Sequence, residues 1–89
     1  MPAPEILLDV SDLEPCEPLE RSLAAAAELP EGRYLRILHR REPFPLYDLL
    51  DAGGFRHATR PGTITPYEVF VWRAADDAAA AAVAAVLGS

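Results

Sequence analysis

The chain of 89 residues has no lysine and only one cysteine, one tryptophan and one methionine. The missing lysine excludes Schiff-base chemistry and a lysine-dependent phosphate loop. All eight basic residues are arginine. One cysteine cannot close an internal disulfide, which fits a reducing compartment, and a cytoplasmic location is expected. There is no glycine-rich phosphate loop, and Ser11, Ser22 and Ser89 do not stand in nucleophile-elbow contexts. The opening Met1-Pro2-Ala3-Pro4-Glu5 lacks the basic and apolar regions of a signal peptide. No apolar stretch makes a convincing membrane span. The longest, the alanine-rich tail, is interrupted at its start by Asp76 and Asp77. A net charge of −6 argues against non-specific binding to nucleic acid or to an anionic membrane.

What is present is the composition of one small globular domain. Hydrophobic residues make up 51% and charged residues 25%, enough for one core and too little chain for a separate cofactor domain. Residues 5–10 are apolar on both faces apart from Asp9, as in a buried strand of an α/β layer. Residues 16–28 carry Leu19, Leu23, Ala26 and Ala27 at helical spacing, with Glu17 and Arg21 four apart on another face. A turn at Pro30-Glu31-Gly32 leads to a second strand over 33–39. After the polar loop Arg40-Arg41-Glu42-Pro43, a helix over 44–52 has Leu46, Leu49 and Leu50 as its apolar stripe, and Gly53-Gly54 stops it. Residues 55–60 form a short strand, and 67–73 form the clearest strand in the chain.

The order β-α-β-α-β-β contains two βαβ-type connections. These imply parallel pairing, right-handed crossovers and both helices on one face of a two-layer sandwich. The last strand sets Val69 and Val71 on one side and Phe70 and Trp72 on the other, so the second face also needs cover. The tail supplies a candidate. Asp76 or Asp77 can cap an alanine-rich helix over 74–89, with Val83, Val86 and Leu87 as a narrow apolar stripe. That extension packs on its own chain or on a symmetry mate, or else it frays. The expected division is therefore a sandwich over 5–73 and a helical extension over 74–89.

Two places carry the candidate chemistry. Cys16 stands between Pro15 and Pro18 at a strand-to-helix turn, where a helix N-terminus favours a thiolate. Glu14 and Glu17 oppose the thiolate, and a small hydrophobe filling a tight turn is the alternative. The loop His39-Arg40-Arg41-Glu42 lies at the edge where the first two strands end, the edge that ligands of open α/β sheets favour. Arg40 and Arg41 beside a helix start suit a carboxylate, a phosphate or a sulfur oxyanion. The alternative is a solvated turn in which Pro43 and Pro45 set the helix start and Glu42 pairs locally. Tyr47 brings a phenol to the same loop or sits at the core edge. Asp9 and Asp12 can be read as paired carboxylates, but Asp12 is better explained as turn chemistry before Leu13. His39, His57 and Cys16 match no metal-binding spacing, so neither a metal nor a cofactor is expected.

The segment from Leu8 to Leu19, Leu8-Asp9-Val10-Ser11-Asp12-Leu13-Glu14-Pro15-Cys16-Glu17-Pro18-Leu19, resembles the opening L-D-x-R-G-L-x-C-P-x-P-L of the TusA/SirA-like sulfur-carrier superfamily. The block from His39 to Tyr47 resembles a signature of a sister family, a bacterial domain of unknown function with the same fold that usually lacks the catalytic cysteine. The resemblance covers about residues 5–73. It implies a two-layer α/β sandwich with a four-stranded mixed sheet, the last strand antiparallel to its neighbours. Aligned without a gap, Pro15 stands where the carriers have their persulfide cysteine, Cys16 falls on their first proline, and Ser11 and Asp12 replace arginine and glycine. One position at a helix start turns a side chain by about 100°.

The expected function is a small cytoplasmic binding or adaptor module without catalysis. Its contact edge is His39, Arg40, Arg41, Glu42 and Tyr47, and its partner is a protein or a small anion. A homodimer through the open sheet face or the C-terminal helix fits the same pattern. The alternative is a sulfur-relay or thiol-redox carrier using Cys16, with Arg40 and Arg41 stabilising the anion.

Overall fold

The computed structural model describes residues 4–12 and 17–88. Its elements follow the expected order: β1 (Glu5–Asp9), α1 (Glu17–Ala27), β2 (Tyr34–His39), α2 (Phe44–Ala52), β3 (Phe55–Pro61), β4 (Tyr67–Arg73) and α3 (Asp77–Leu87). The expected start of α1 at Cys16 lies outside the described residues.

The four strands form one mixed sheet in the order β1-β2-β4-β3. β1 runs parallel to β2, with Ile6 opposite Leu35 and Leu8 opposite Ile37. β4 is antiparallel to both of its neighbours, with Val71 opposite Leu35 on one side and opposite His57 on the other. The second crossover therefore differs from the simplest reading of the element order. β2 and β3 run in the same direction but do not pair, because β4 fills the slot between them. A strand carrying three consecutive apolar residues, Val69-Phe70-Val71, all fully buried, is stabilised most at the centre of the sheet.

Alternation along the strands gives the sheet two different faces. On the first, Val10, Leu35, Ile37, Val69 and Val71 meet Ala26 and Leu29 from the α1 side and Leu46 and Leu50 of α2, with Ile6, Leu8, Leu19, Leu23 and Phe55 packed around them. Arg73 ties this layer down. Its Nη2 donates to the Ala27 carbonyl at 2.9 Å and its Nε to that of Leu29 at 3.3 Å, where α1 would otherwise leave carbonyls unpaired.

The second face carries Tyr34, Phe70 and Val83 as a smaller core, with Trp72, Ala82 and Val86 against it. The alanine-rich tail thus packs on its own sheet. Asp76 caps α3, accepting from Ala79 N–H at 3.0 Å, and its other oxygen accepts from Gly32 N–H at 2.6 Å. These backbone bonds hold the Asp76 carboxyl below its ordinary range. Small alanines let the helix lie close, and Ala79 is fully buried.

Two glycines are required by their positions. Gly54 has φ +85° after α2, a left-handed conformation that side chains disfavour. A Cβ at Gly62, in the β3–β4 connection, would collide with the Thr65 carbonyl oxygen. No helix among the described residues is long and apolar enough to cross a membrane.

Candidate functional site

Because β1 and β2 are parallel, both end at the same edge of the sheet, where Val10 N–H donates to the Leu38 carbonyl at 3.1 Å. The chain leaves β1 through a turn closed by Asp9, whose Oδ1 accepts from Ser11 N–H at 3.0 Å and from Ser11 Oγ at 2.6 Å. The Ser11 hydroxyl and then its backbone N–H hold the Asp9 carboxyl below its ordinary value. Asp9 is therefore occupied by turn chemistry rather than offered as half of a carboxylate pair.

A cleft of about 410 Å³ opens at this edge. Its described walls are Val10 and Ser11 just after β1, Pro18 and Leu19 from α1, and the run His39 to Pro43 with Pro45 and Leu46 from the β2–α2 corner. Val10 and Leu46 are each only 1% exposed, so the floor is apolar. Four of the five residues expected at the contact edge, His39, Arg40, Arg41 and Glu42, line the cleft together. Tyr47 stands behind it.

Each of these side chains has a definite state. His39 Nδ1 accepts from the Arg41 backbone N–H at 3.2 Å, which leaves the ring proton on Nε2. Burial, and then the charge on Arg40, hold the imidazole below its ordinary value of 6.5. Arg40 and Arg41 are exposed, and among the described residues neither guanidinium has a hydrogen-bond or ion-pair partner. Glu42 is half-buried and does not pair with its basic neighbours. Its Oε2 accepts from the Tyr47 hydroxyl at 3.3 Å. That hydroxyl also makes a short hydrogen bond with Thr59 of β3. Burial, with Glu42 beside it, raises the Tyr47 phenol above its ordinary range.

Tyr47 is braced further. The His57 ring stacks on it at 4.5 Å between centroids, Phe44 meets it edge-on at 6.0 Å, and His57 Nε2 lies 3.1 Å from Asp51 Oδ1. His57 is thus engaged on α2 rather than joined to His39. Among the described residues, no three His, Cys, Asp or Glu side chains are placed to hold a metal ion.

The start of α2 adds less to anion binding than its position promises. Pro43 and Pro45 have no N–H, the Phe44 N–H bonds the Glu42 carbonyl and the Leu46 N–H that of Pro43, both at 3.0 Å. An anion here is met by side chains. Cys16 lies outside the described residues. Ser11 and Pro18, close to it in sequence on either side, both line the cleft.

One polar array escaped sequence reasoning. On the second face Glu68 of β4 is 2% exposed, and it accepts from Arg60 Nε of β3 at 2.8 Å and from Arg36 Nη2 of β2. Arg36 Nη1 reaches Glu5 of β1 at 3.5 Å, and Glu5 accepts from the Tyr34 hydroxyl at 3.0 Å. A charged belt therefore crosses all four strands. Burial pushes the Glu68 carboxyl up, but the bonds from Arg60 and Arg36 outweigh it and leave the group below 4.5. The alternation of β4 was the available signal. Glu68 shares a side with Phe70 and Trp72, and that side is covered.

A family model described as "Uncharacterized conserved protein (DUF2249)" matches residues 7–73. The chain belongs to this family. No curated protein and no solved structure matches the chain. The family match ends with β4, so it contains the cleft, the Tyr47 array and the charged belt apart from Glu5, and α3 lies beyond it.

Proposed function

We propose that this DUF2249 chain is a non-catalytic binding module whose working surface is the cleft at the ends of β1 and β2. The observation that carries this reading is the pair of guanidiniums, Arg40 and Arg41, unpartnered among the described residues at the rim of an apolar-floored cleft. Arginine and apolar contact area are what interfaces and ligand sites concentrate. Among the described residues, the side chains lining the cleft offer no nucleophile paired with a base. The one imidazole there is kept neutral with its Nδ1 already occupied. The partner is a protein or a small anion, and the module works in a bacterial cytoplasm as a relative of the TusA/SirA-like carriers.

The test is a titration of the ¹⁵N-labelled protein with a panel of small carboxylates and phosphates, followed by amide chemical shift. Saturable shifts at residues 10–11, 18–19 and 39–46, lost in the Arg40→Ala/Arg41→Ala variant, are expected. Shifts indifferent to that variant overturn the reading.

A second reading has one supporting observation. Ser11 and Pro18, near Cys16 in the sequence, line the same cleft, so a thiol-based sulfur or redox carrier would use Arg40 and Arg41 as anion stabilisers. The alkylation rate of Cys16 against pH decides it, with mass spectrometry of the protein from cells for an added sulfur. A thiol titrating at about 8.5, its unperturbed value, with no adduct, removes this reading.

A further inference from the structure

The cleft presents opposite charges in a fixed order. Among the described residues Arg40 and Arg41 have no partner, and Glu42, next in sequence, is held away from them by the Tyr47 hydroxyl at 3.3 Å. Tyr47 uses only Oε2 of Glu42, and Oε1 has no partner among the described residues. A dianion such as a phosphate gains from the arginines but is repelled by Glu42. The complementary ligand is a monoanion with a hydrogen-bond donor close to it. It also carries an apolar group for the floor formed by Val10 and Leu46.

Resting on the binding-module reading, we infer that the cleft captures the C-terminal residue of a partner polypeptide. A chain end supplies all three features on one residue. Its carboxylate fits the arginines, for which carboxylate is a geometrically matched acceptor. Its own backbone N–H, one residue's width away, donates to the free oxygen of Glu42. Its side chain covers the apolar floor. Terminal-carboxylate capture is a recurring mode of peptide recognition, and about 410 Å³ is a volume suited to one residue and part of the next. In this scheme Tyr47 is a positioning residue, because it keeps Glu42 turned away from Arg40 and Arg41.

The probes are N-acetyl-alanyl-alanyl-leucine, the same peptide with its C-terminus amidated, and 4-methylpentanoate. The last has the carboxylate and the branched chain but no N–H. Affinities come from amide-shift titration of the full chain. The free-acid peptide is expected to bind at residues 10–11 and 39–46, and amidation to weaken it by about tenfold or more, the scale of one charge-assisted hydrogen bond. 4-Methylpentanoate is expected to bind several-fold more weakly than the peptide. Glu42→Ala, checked for an otherwise unchanged amide spectrum because Glu42 is half-buried against Tyr47, is expected to abolish that difference while leaving the preference for the free acid. Tyr47→Phe should reduce the difference without abolishing it. Equal affinity for the acid and the amide, at the cleft, overturns the inference and leaves the binding-module reading standing. Equal affinity for 4-methylpentanoate and the peptide likewise overturns it in favour of a free carboxylic acid. Shifts confined to residues outside the cleft with every probe overturn both.

Discussion

Arg60 of β3 stands directly opposite Glu68 of β4, and its Nε donates to Oε1 at 2.8 Å while its guanidinium lies 5.1 Å from the centre of the Phe70 ring. Its Nη1 reaches on to the Val86 carbonyl near the end of α3 at 3.4 Å. One side chain therefore joins the sheet edge, a buried carboxylate and the covering helix.

The acid limit of stability should follow from Glu68. Its folded value lies below the ordinary 4.5, so the unfolded chain takes up its proton first as pH falls. The stabilisation is present above about pH 4.5 and is lost as pH drops through the folded value. Glu68→Gln is expected to flatten this part of the stability curve in urea melts between pH 3 and pH 6. Glu68→Ala leaves Arg36 and Arg60 without their carboxylate and should cost about 1–3 kcal/mol at pH 7, below the range for fully buried pairs because both arginines are partly solvated.

At the alkaline end Tyr34 takes over. Burial, and then the hydrogen bond to Glu5, push its phenol up to about 12. A raised acid favours its protonated form in the folded state, so its contribution is full below an unfolded value of about 10 and fades as pH rises towards 12. Ultraviolet titration should show one phenol ionising only with unfolding, and Tyr34→Phe should remove that component.

Arg73 should matter to stability although it is far from the cleft. Arg73→Ala removes two bonds to carbonyls at the end of α1 and the contact over Phe55 at 5.3 Å. A loss of about 1–2 kcal/mol is expected in denaturant melts. Arg73→Lys should recover only part of it, since an ammonium cannot serve both carbonyls and the ring in one geometry.

The covering helix can be tested at its centre. Val83 is 2% exposed against Tyr34 and Phe70. Val83→Ala should cost about 1–2 kcal/mol by removing buried methyl groups. Val83→Asp should detach α3, seen as loss of amide protection over 77–87 with β1, β2 and β4 still protected.

The element order was legible because β1, β2 and β4 are short apolar-rich runs, β3 is set off between Gly53-Gly54 and Pro61-Gly62, and each helix keeps its apolar spacing. Even the cap of α3 was narrowed to Asp76 or Asp77 ahead of a run of alanines, and the structure selects Asp76. The slot between β2 and β3 was not readable from the βαβ pattern alone. It is decided by pairing between residues more than thirty positions apart, such as Arg36 with Phe70. The resemblance supplied the antiparallel last strand that the pattern did not. Within the cleft, the contiguous run His39 to Glu42 was visible as a loop of charges. What the sequence does not show is that Glu42 turns to Tyr47 rather than to its arginine neighbours, because Thr59 and His57 from another strand fix Tyr47 in place. Glu68 was hidden for the same reason. Its burial depends on arginines from two other strands, and a lone glutamate in an alternating pattern reads as surface.

The place of β4 has a consequence for how the molecule comes into being on the ribosome. β4 is made after both of its neighbours, so a nascent chain that has emerged only as far as Pro61 can pair β1 with β2 but leaves β2 and β3 each without the strand that lies between them. Nothing can be added strand by strand from one side. The domain has to close in a single late event, when residues 67–73 emerge and pair with both neighbours at once, and until then Leu35, Ile37 and Phe55 must wait without the strand that seals them in.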